Sequence, residues 1–208
     1  MWEVMVKGGI TMIPLGLCSI IALAVIIERL INLRRKKIIH PEIVTVIDSI
    51  NGPEDVHLAL LLCKKEDGTF ANIIRTGLEN MDISHEAFRE AIADQGRQEM
   101  HALEKGLLAL EIVAGIAPLL GLLGTVLGMI HIFDVVTVEG MGGAKNISAG
   151  IAEALITTVA GLCIAIPTLV FYHVFVKKAE NYVMEIEKYS NKLITKFQKF
   201  QTVNNQSS

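Results

Sequence analysis

Residues 112–133 read IVAGIAPLLGLLGTVLGMIHIF, a stretch without Asp, Glu, Lys or Arg. A helix rises about 1.5 Å per residue, so about 20 such residues cross the roughly 30 Å of a bilayer's hydrocarbon. Gly8 to Ile27 and Ala154 to Val176 meet the same test. Only helices and closed barrels satisfy their backbone polar groups in lipid, and runs this long and apolar specify helices. The fold expected is an all-α integral membrane protein, with three transmembrane helices, a helical cytoplasmic insert and a C-terminal helix.

The composition agrees. The chain has 208 residues, of which 51% are hydrophobic and 20% charged, and a mean hydropathy of +0.48. That average is too apolar for an ordinary soluble domain. The 19 Lys and Arg against 22 Asp and Glu leave a net charge of -3 with no basic face, which argues against nucleic acid as a partner. Cys18, Cys63 and Cys163 are far apart and form neither a C-x-x-C pair nor a Cys/His cluster, so no disulfide framework and no metal site is expected.

Flanking positive charges set the orientation. Arg29, Arg34, Arg35, Lys36 and Lys37 follow the first stretch, and Lys177 and Lys178 follow the third. Both flanks belong on the cytoplasmic side. The connection from Asp134 to Glu153 holds only Lys145 as a base, which suits the outer side. The expected plan is an outer N-terminus at 1–7, spans at 8–27, 107–133 and 153–176, a cytoplasmic insert at 28–106, an outer loop at 134–152 and a cytoplasmic tail at 177–208. The first stretch is read as a retained span rather than a secretory signal, because it is long and ends in Glu28-Arg29-Leu30 and a basic run.

Apolar residues recur at helical spacing through the insert, as in Ile43, Val46, Ile47 and Ile50 and again in Ile73, Ile74 and Leu78. Breaks are expected near Asn51-Gly52-Pro53 and Asp67-Gly68. Asp82-Ile83-Ser84-His85-Glu86 reads as a helix start, and that helix is expected to run unbroken from about Ser84 into the second span. The tail is expected to be helical as well, with a frayed polar end at Asn204 to Ser208.

The spans are not simple anchors. At about 100° per residue, Gly150, Glu153, Ala154, Thr157, Thr158, Gly161, Ala165, Thr168 and Tyr172 share about 140° of the third span. Leu155, Val159, Leu162, Ile166 and Val170 lie elsewhere. In the second span Ala114, Ala117, Gly121, Gly124 and Gly128 form a stripe beside Glu111, Pro118 and Thr125. Small stripes let helix backbones approach, so packing is the first reading of these glycines. The threonines are balanced between bonding a carbonyl one turn back and a functional role. Glu153 stands at the start of a span, where a carboxylate is costly, and is a candidate for an ion pathway. Pro14, Pro118 and Pro167 are expected to bend or locally open their helices. Glu111, His131 and His173 read first as interfacial or packed residues and second as proton relays.

The segment Pro118-Leu119-Leu120-Gly121-Leu122-Leu123-Gly124-Thr125-Val126-Leu127-Gly128-Met129-Ile130 closely resembles the second-span motif of the MotA/TolQ/ExbB proton-channel family. Ile151 to Leu162, with Glu153-Ala154-Leu155 and Thr157-Thr158, then Ala165-Ile166-Pro167, looks like its ExbB/TolQ branch. Pro14-Leu15, Ala22-Leu23-Ala24 and Glu28-Arg29-Leu30 agree with the branch's first span. Together these cover about half the chain. His173 follows Tyr172 where the branch usually shows Asn, a departure that carries no function over to the histidine.

The resemblance implies a bacterial inner-membrane homo-oligomer, in this branch a pentamer, around a single-span ExbD- or TolR-like partner. Proton flow would drive a TonB- or TolA-like envelope protein. Carried over by position, Thr125 and Thr158 face the pore near the partner's aspartate, and Glu153 is the ring's intramembrane acid. Gly121, Gly124, Gly128, Pro118, Thr157 and Gly161 serve pore or helix packing. Membrane lipid is the remaining contact, and no cofactor is implied.

The residues themselves leave the proton path incomplete. Threonine hydroxyls donate and accept hydrogen bonds but do not store a proton. Apart from Glu153, and Glu111 near the other end of the second span, the three spans hold no acid, a gap that a partner Asp would fill. The alternative is a non-conducting membrane scaffold. An enzyme is disfavoured, because no P-loop, Ser/His/Asp arrangement or dinucleotide fingerprint is present. Uptake, envelope maintenance and motility all remain open as the powered process.

Overall fold

A computed structural model of the chain describes residues 9–50, 53–66, 68–80, 83–139 and 144–206. The expected outer segment 1–7, Gly8, Asn51-Gly52, Asp67, Asp82 and the final Ser207-Ser208 lie outside the described residues. Among the described residues the ordered elements are all helices: α1 (Met12–Asn32), α2 (Arg35–Ile38), α3 (Pro41–Ser49), α4 (Pro53–Lys65), α5 (Thr69–Glu79), α6 (His85–Glu104), α7 (Leu107–Glu139) and α8 (Ala144–Gln206). Three are long and apolar enough to cross a membrane, over Met12–Asn32, Leu107–Asp134 and Gly150–Lys196, with mean hydropathies of 2.1, 2.2 and 2.2. The protein is therefore all-helical with three candidate spans.

The chain divides into two compact units. One holds the described residues up to Arg29 together with Gly106–Val174, and the other holds Leu30–Lys105 together with the chain from Phe175 onward.

The first unit has a core of small parts. Met12, Leu15, Ala117 and Ala165 are buried together, with Leu120, Ala160 and Ile164 packed against them. Its large aliphatics point outward: Leu119, Leu122, Val126, Ile130, Leu155, Val159, Ile166 and Val170 are all exposed. In water such a surface would drive aggregation, whereas in a bilayer it suits contact with lipid. Pro14 sits in the first turn of α1, where no helical hydrogen bond is lost, while Pro118 and Pro167 lie inside α7 and α8.

The second unit is built like a small soluble domain. Ile43 and Ile47 on α3, Cys63 on α4, Phe70, Ile73 and Ile74 on α5, Phe88 on α6 and Leu193 on α8 are buried. Phe70 and Tyr189 meet edge to face with ring centres 5.5 Å apart. Ser84 caps α6, its hydroxyl accepting from the Ala87 backbone N–H at 3.4 Å.

One expectation is corrected. The helix from Ser84 does not run unbroken into the second span: α6 stops at Glu104 and α7 begins at Leu107. Gly106 breaks it, with φ at +86°, in the left-handed region where a side chain is strained. A Cβ there would also stand 3.3 Å from the Arg29 guanidinium, which is buried. The connection after the second span is also more helical than its polar composition suggests, since α7 continues to Glu139 and α8 starts at Ala144.

Candidate functional site

Close approach of α7 to α8 makes the site possible. The buried positions of α8 in the first unit, Gly150, Ala154, Thr157, Gly161, Ala165 and Thr168, follow one another by three or four residues and are all small. On α7 the facing positions include Ala117, Gly121 and Gly124, all buried, and half-buried Gly128. A Cβ built on Gly161 would lie 2.6 Å from the Ala117 carbonyl oxygen, and one on Gly121 would lie 2.9 Å from the Thr157 carbonyl oxygen. One on Gly128 would lie 2.9 Å from the Ala154 Cβ. The G-x-x-x-G stripe is thus a contact surface, as small stripes in membrane helices commonly are.

Because Gly121 has no side chain, its carbonyl oxygen lies open to three hydroxyls. Thr158 reaches it at 3.1 Å, Thr125 at 3.3 Å and Thr157 at 3.4 Å. Thr157, fully buried, has a shorter bond to the Ala154 carbonyl at 2.7 Å and donates its proton there. Thr125 and Thr158 touch each other through their hydroxyl oxygens, and Thr125 also reaches the Ala154 carbonyl at 3.1 Å.

Two hydroxyls carry two protons, and this decides the pattern. With the oxygens in contact, one proton must lie between them. Either Thr125 donates to Thr158, which donates to Gly121, or Thr158 donates to Thr125, which donates to Ala154. The pair is a reversible chain, and lone pairs remain on it to accept a bond from water or a protonated carboxyl group. Both residues are half-buried.

Glu153 belongs to a separate place. It lines a cavity of about 110 Å³ with Gly9, Thr11, Gly128, His131 and Gly150. A Cβ on Gly9, whose φ is +64°, would collide with the Glu153 Oε1. Sequence reasoning missed Thr11: it is buried and approaches Gly124, where an added Cβ would lie 2.7 Å from its hydroxyl. Only contact geometry could identify it, because a lone Thr ahead of an apolar run has no periodicity of its own.

The remaining candidates are dispersed. Pro118 is half-buried on α7 beside Ala117. Glu111 faces the Tyr172 hydroxyl, and His173 is exposed with its ring 5.2 Å from that of Tyr172. A larger cavity of about 540 Å³ lies in the second unit, lined by Ile73, Arg89, Ile92, Met100, Ile186 and Ile194 among others, none of them a candidate from the sequence. Among the described residues, no group of three His, Cys, Asp or Glu is placed to hold a metal ion.

Residues 65–188 match the MotA/TolQ/ExbB proton channel family. An ExbB-like biopolymer transport protein of Synechocystis is 37% identical over 177 residues, covering 82% of this chain and 68% of the relative. The biopolymer transport protein ExbB of Helicobacter pylori is 44% identical over 78 residues, 38% of this chain and 54% of its own. The Tol-Pal system protein TolQ of Haemophilus influenzae is 38% identical over 76 residues, 36% of this chain and 33% of the relative.

Proposed function

The chain belongs to the MotA/TolQ/ExbB proton channel family, and from that premise we propose that it is the ring-forming subunit of an energy-transducing motor in a bacterial inner membrane. In this reading several copies, five in this branch, surround a single-span ExbD- or TolR-like partner. Proton flow moves ring and partner relative to one another, and a TonB- or TolA-like protein carries the movement into the envelope. The N-terminus is periplasmic, the C-terminus is cytoplasmic, and the role is mechanical rather than enzymatic.

The reversible Thr125–Thr158 hydroxyl chain is the observation that carries the reading. A partner carboxyl group at this pair meets lone pairs when protonated. When ionised it meets a hydroxyl proton, once the chain turns one O–H toward it. The pair therefore stabilises both charge states, as a group must if a carboxyl is to load and unload there. Each proton crossing 100 mV releases about 2.3 kcal/mol, enough to bias a step between similar packing states.

One observation favours the scaffold reading. Both hydroxyls already have backbone acceptors within the chain, so helix pinning alone would account for them. The two readings part on the mass of the detergent-extracted complex, from cells expressing the chain with its genomic neighbours. A ring of this chain around a small single-span protein with an intramembrane Asp supports the motor. A ring with no acidic partner supports the scaffold.

A further inference from the structure

The cavity at Glu153 contains a second titratable side chain that the proposed path does not use. His131, on α7, and Glu153, on α8, line the same space of about 110 Å³, room for about three waters at roughly 30 Å³ each. His131 is exposed and Glu153 is half-buried. The third wall is Gly9, Ile10 and Thr11, at the entry to α1. No charged group comes from that wall, and among the described lining residues Glu153 is the one other titratable group facing His131. Asp134 lies one turn further along α7 and is exposed.

We infer that His131 is the proton-loading residue for Glu153, at the end of the spans where α7 connects to α8. This rests on the proton-conducting reading and adds a residue to it. Imidazole changes charge between roughly pH 5 and 8, so it takes up a proton under conditions in which a hydroxyl does not. In the loading step a hydronium O–H breaks and an imidazole N–H forms. In the next step that N–H breaks, a cavity water relays the proton, and an O–H forms on the Glu153 carboxylate. The imidazole returns to neutral and Glu153 releases its proton onward into the path before the next one loads, so each turn moves one proton and consumes no other reactant. Gly9 leaves room for the Glu153 carboxyl, which a Cβ there would meet.

The test uses the complex with its single-span partner in liposomes, with an enclosed pH-sensitive dye reporting flux against outer pH. In His131→Gln, flux at an outer pH of roughly 6 should fall about threefold or more and its rise with acidity should flatten, while His173→Gln should keep the wild-type profile. Independently, adding His131→Gln to Glu153→Gln should lower flux no further than Glu153→Gln alone, because the two residues act in series. A wild-type profile in His131→Gln overturns the inference and leaves the channel reading standing, and so does an additive loss of flux in the double variant. Absence of flux in the wild-type complex overturns both.

Discussion

Gly161 lies so close to Ala117 that a Cβ on the glycine would stand 2.6 Å from the alanine's carbonyl oxygen, with the Gly121 Cα and nitrogen at 3.2 and 3.3 Å. All three neighbours are backbone, so no side chain can rotate aside. Gly161→Ala should force α7 and α8 apart and cost about 1–3 kcal/mol. Gly115, also on α7, has nothing within 4 Å of its built Cβ, and Gly115→Ala should cost nothing by packing within the subunit. Thermal unfolding of the two variants in detergent, followed by helix signal, checks the order.

The Thr125–Thr158 pair predicts a separation of stability from function. Without the Thr158 hydroxyl, Thr125 still reaches the Ala154 carbonyl at 3.1 Å. Without the Thr125 hydroxyl, Thr158 still reaches the Gly121 carbonyl at 3.1 Å. Neither Thr125→Val nor Thr158→Val leaves a buried polar atom unsatisfied, so each should cost about 1 kcal/mol or less. Both should assemble at wild-type mass, yet proton flux through the complex should be lost, because the reversible chain needs two hydroxyls. Assembly lost in both variants would assign the pair to packing.

Much of this was legible in the sequence, for a physical reason. Long apolar runs, and small residues spaced by three and four, reflect burial on one helix face, which a periodicity reports directly. Hence the three candidate spans and the Gly121–Gly161 contact face follow from residue type and position. Grouping within that face did not follow. Glu153 and Thr157 share an arc of α8, but Glu153 looks into the His131 cavity and Thr157 into the helix contact. That division depends on where α1 enters, and Thr11 has no pattern of its own. The break before α7 was missed because charged helical spacing continues to Glu104, and a single Gly106 does not by itself announce a positive φ.

That break predicts a conformational cost. Gly106 holds φ at +86° with the Arg29 side chain 3.3 Å from where a Cβ would go. Gly106→Ala should destabilise by about 1 kcal/mol from the backbone, with more if Arg29 must shift. Gly106→Asn should lose less than a β-branched replacement such as Gly106→Val, because Asn tolerates the left-handed region. Midpoints of thermal unfolding for the three variants give the ranking.

Cys63 carries a pH prediction. Burial pushes its thiol up from 9.0 to about 11, with Arg75 acting more weakly in the opposite direction. An unfolded chain loses this proton near the ordinary value, whereas the folded chain holds it. The stabilisation is therefore fully present below about 9 and is lost as the pH rises through about 11. At pH 8 the ionised fraction in the folded protein should be about 100-fold smaller than in the unfolded chain. Iodoacetamide labelling of Cys63, read by peptide mass in native buffer and in denaturant, should show at least that ratio.

Two lysines near the end of α8 touch the end of α3 and differ in what they should contribute. Lys192 pairs with the Asp48 carboxylate at 2.6 Å, and both side chains are about half exposed. Lys196 instead donates to the backbone carbonyls of Asp48 and Ile50, each at 2.8 Å. Those carbonyls belong to the last turn and cap of α3, where helix carbonyls lack internal partners and the dipole favours a cation. Solvent and salt weaken the exposed pair, so Lys192→Met should cost at most about 1 kcal/mol, and less in high salt. Lys196→Met keeps the apolar stem and removes two charge-assisted bonds, so it should cost about 1.5–3 kcal/mol and depend little on salt. Hydrogen exchange at the α3 amides separates the cases: protection should drop in Lys196→Met and hold in Lys192→Met. Equal loss in both would mean that the Asp48 side chain, rather than the helix end, anchors this contact.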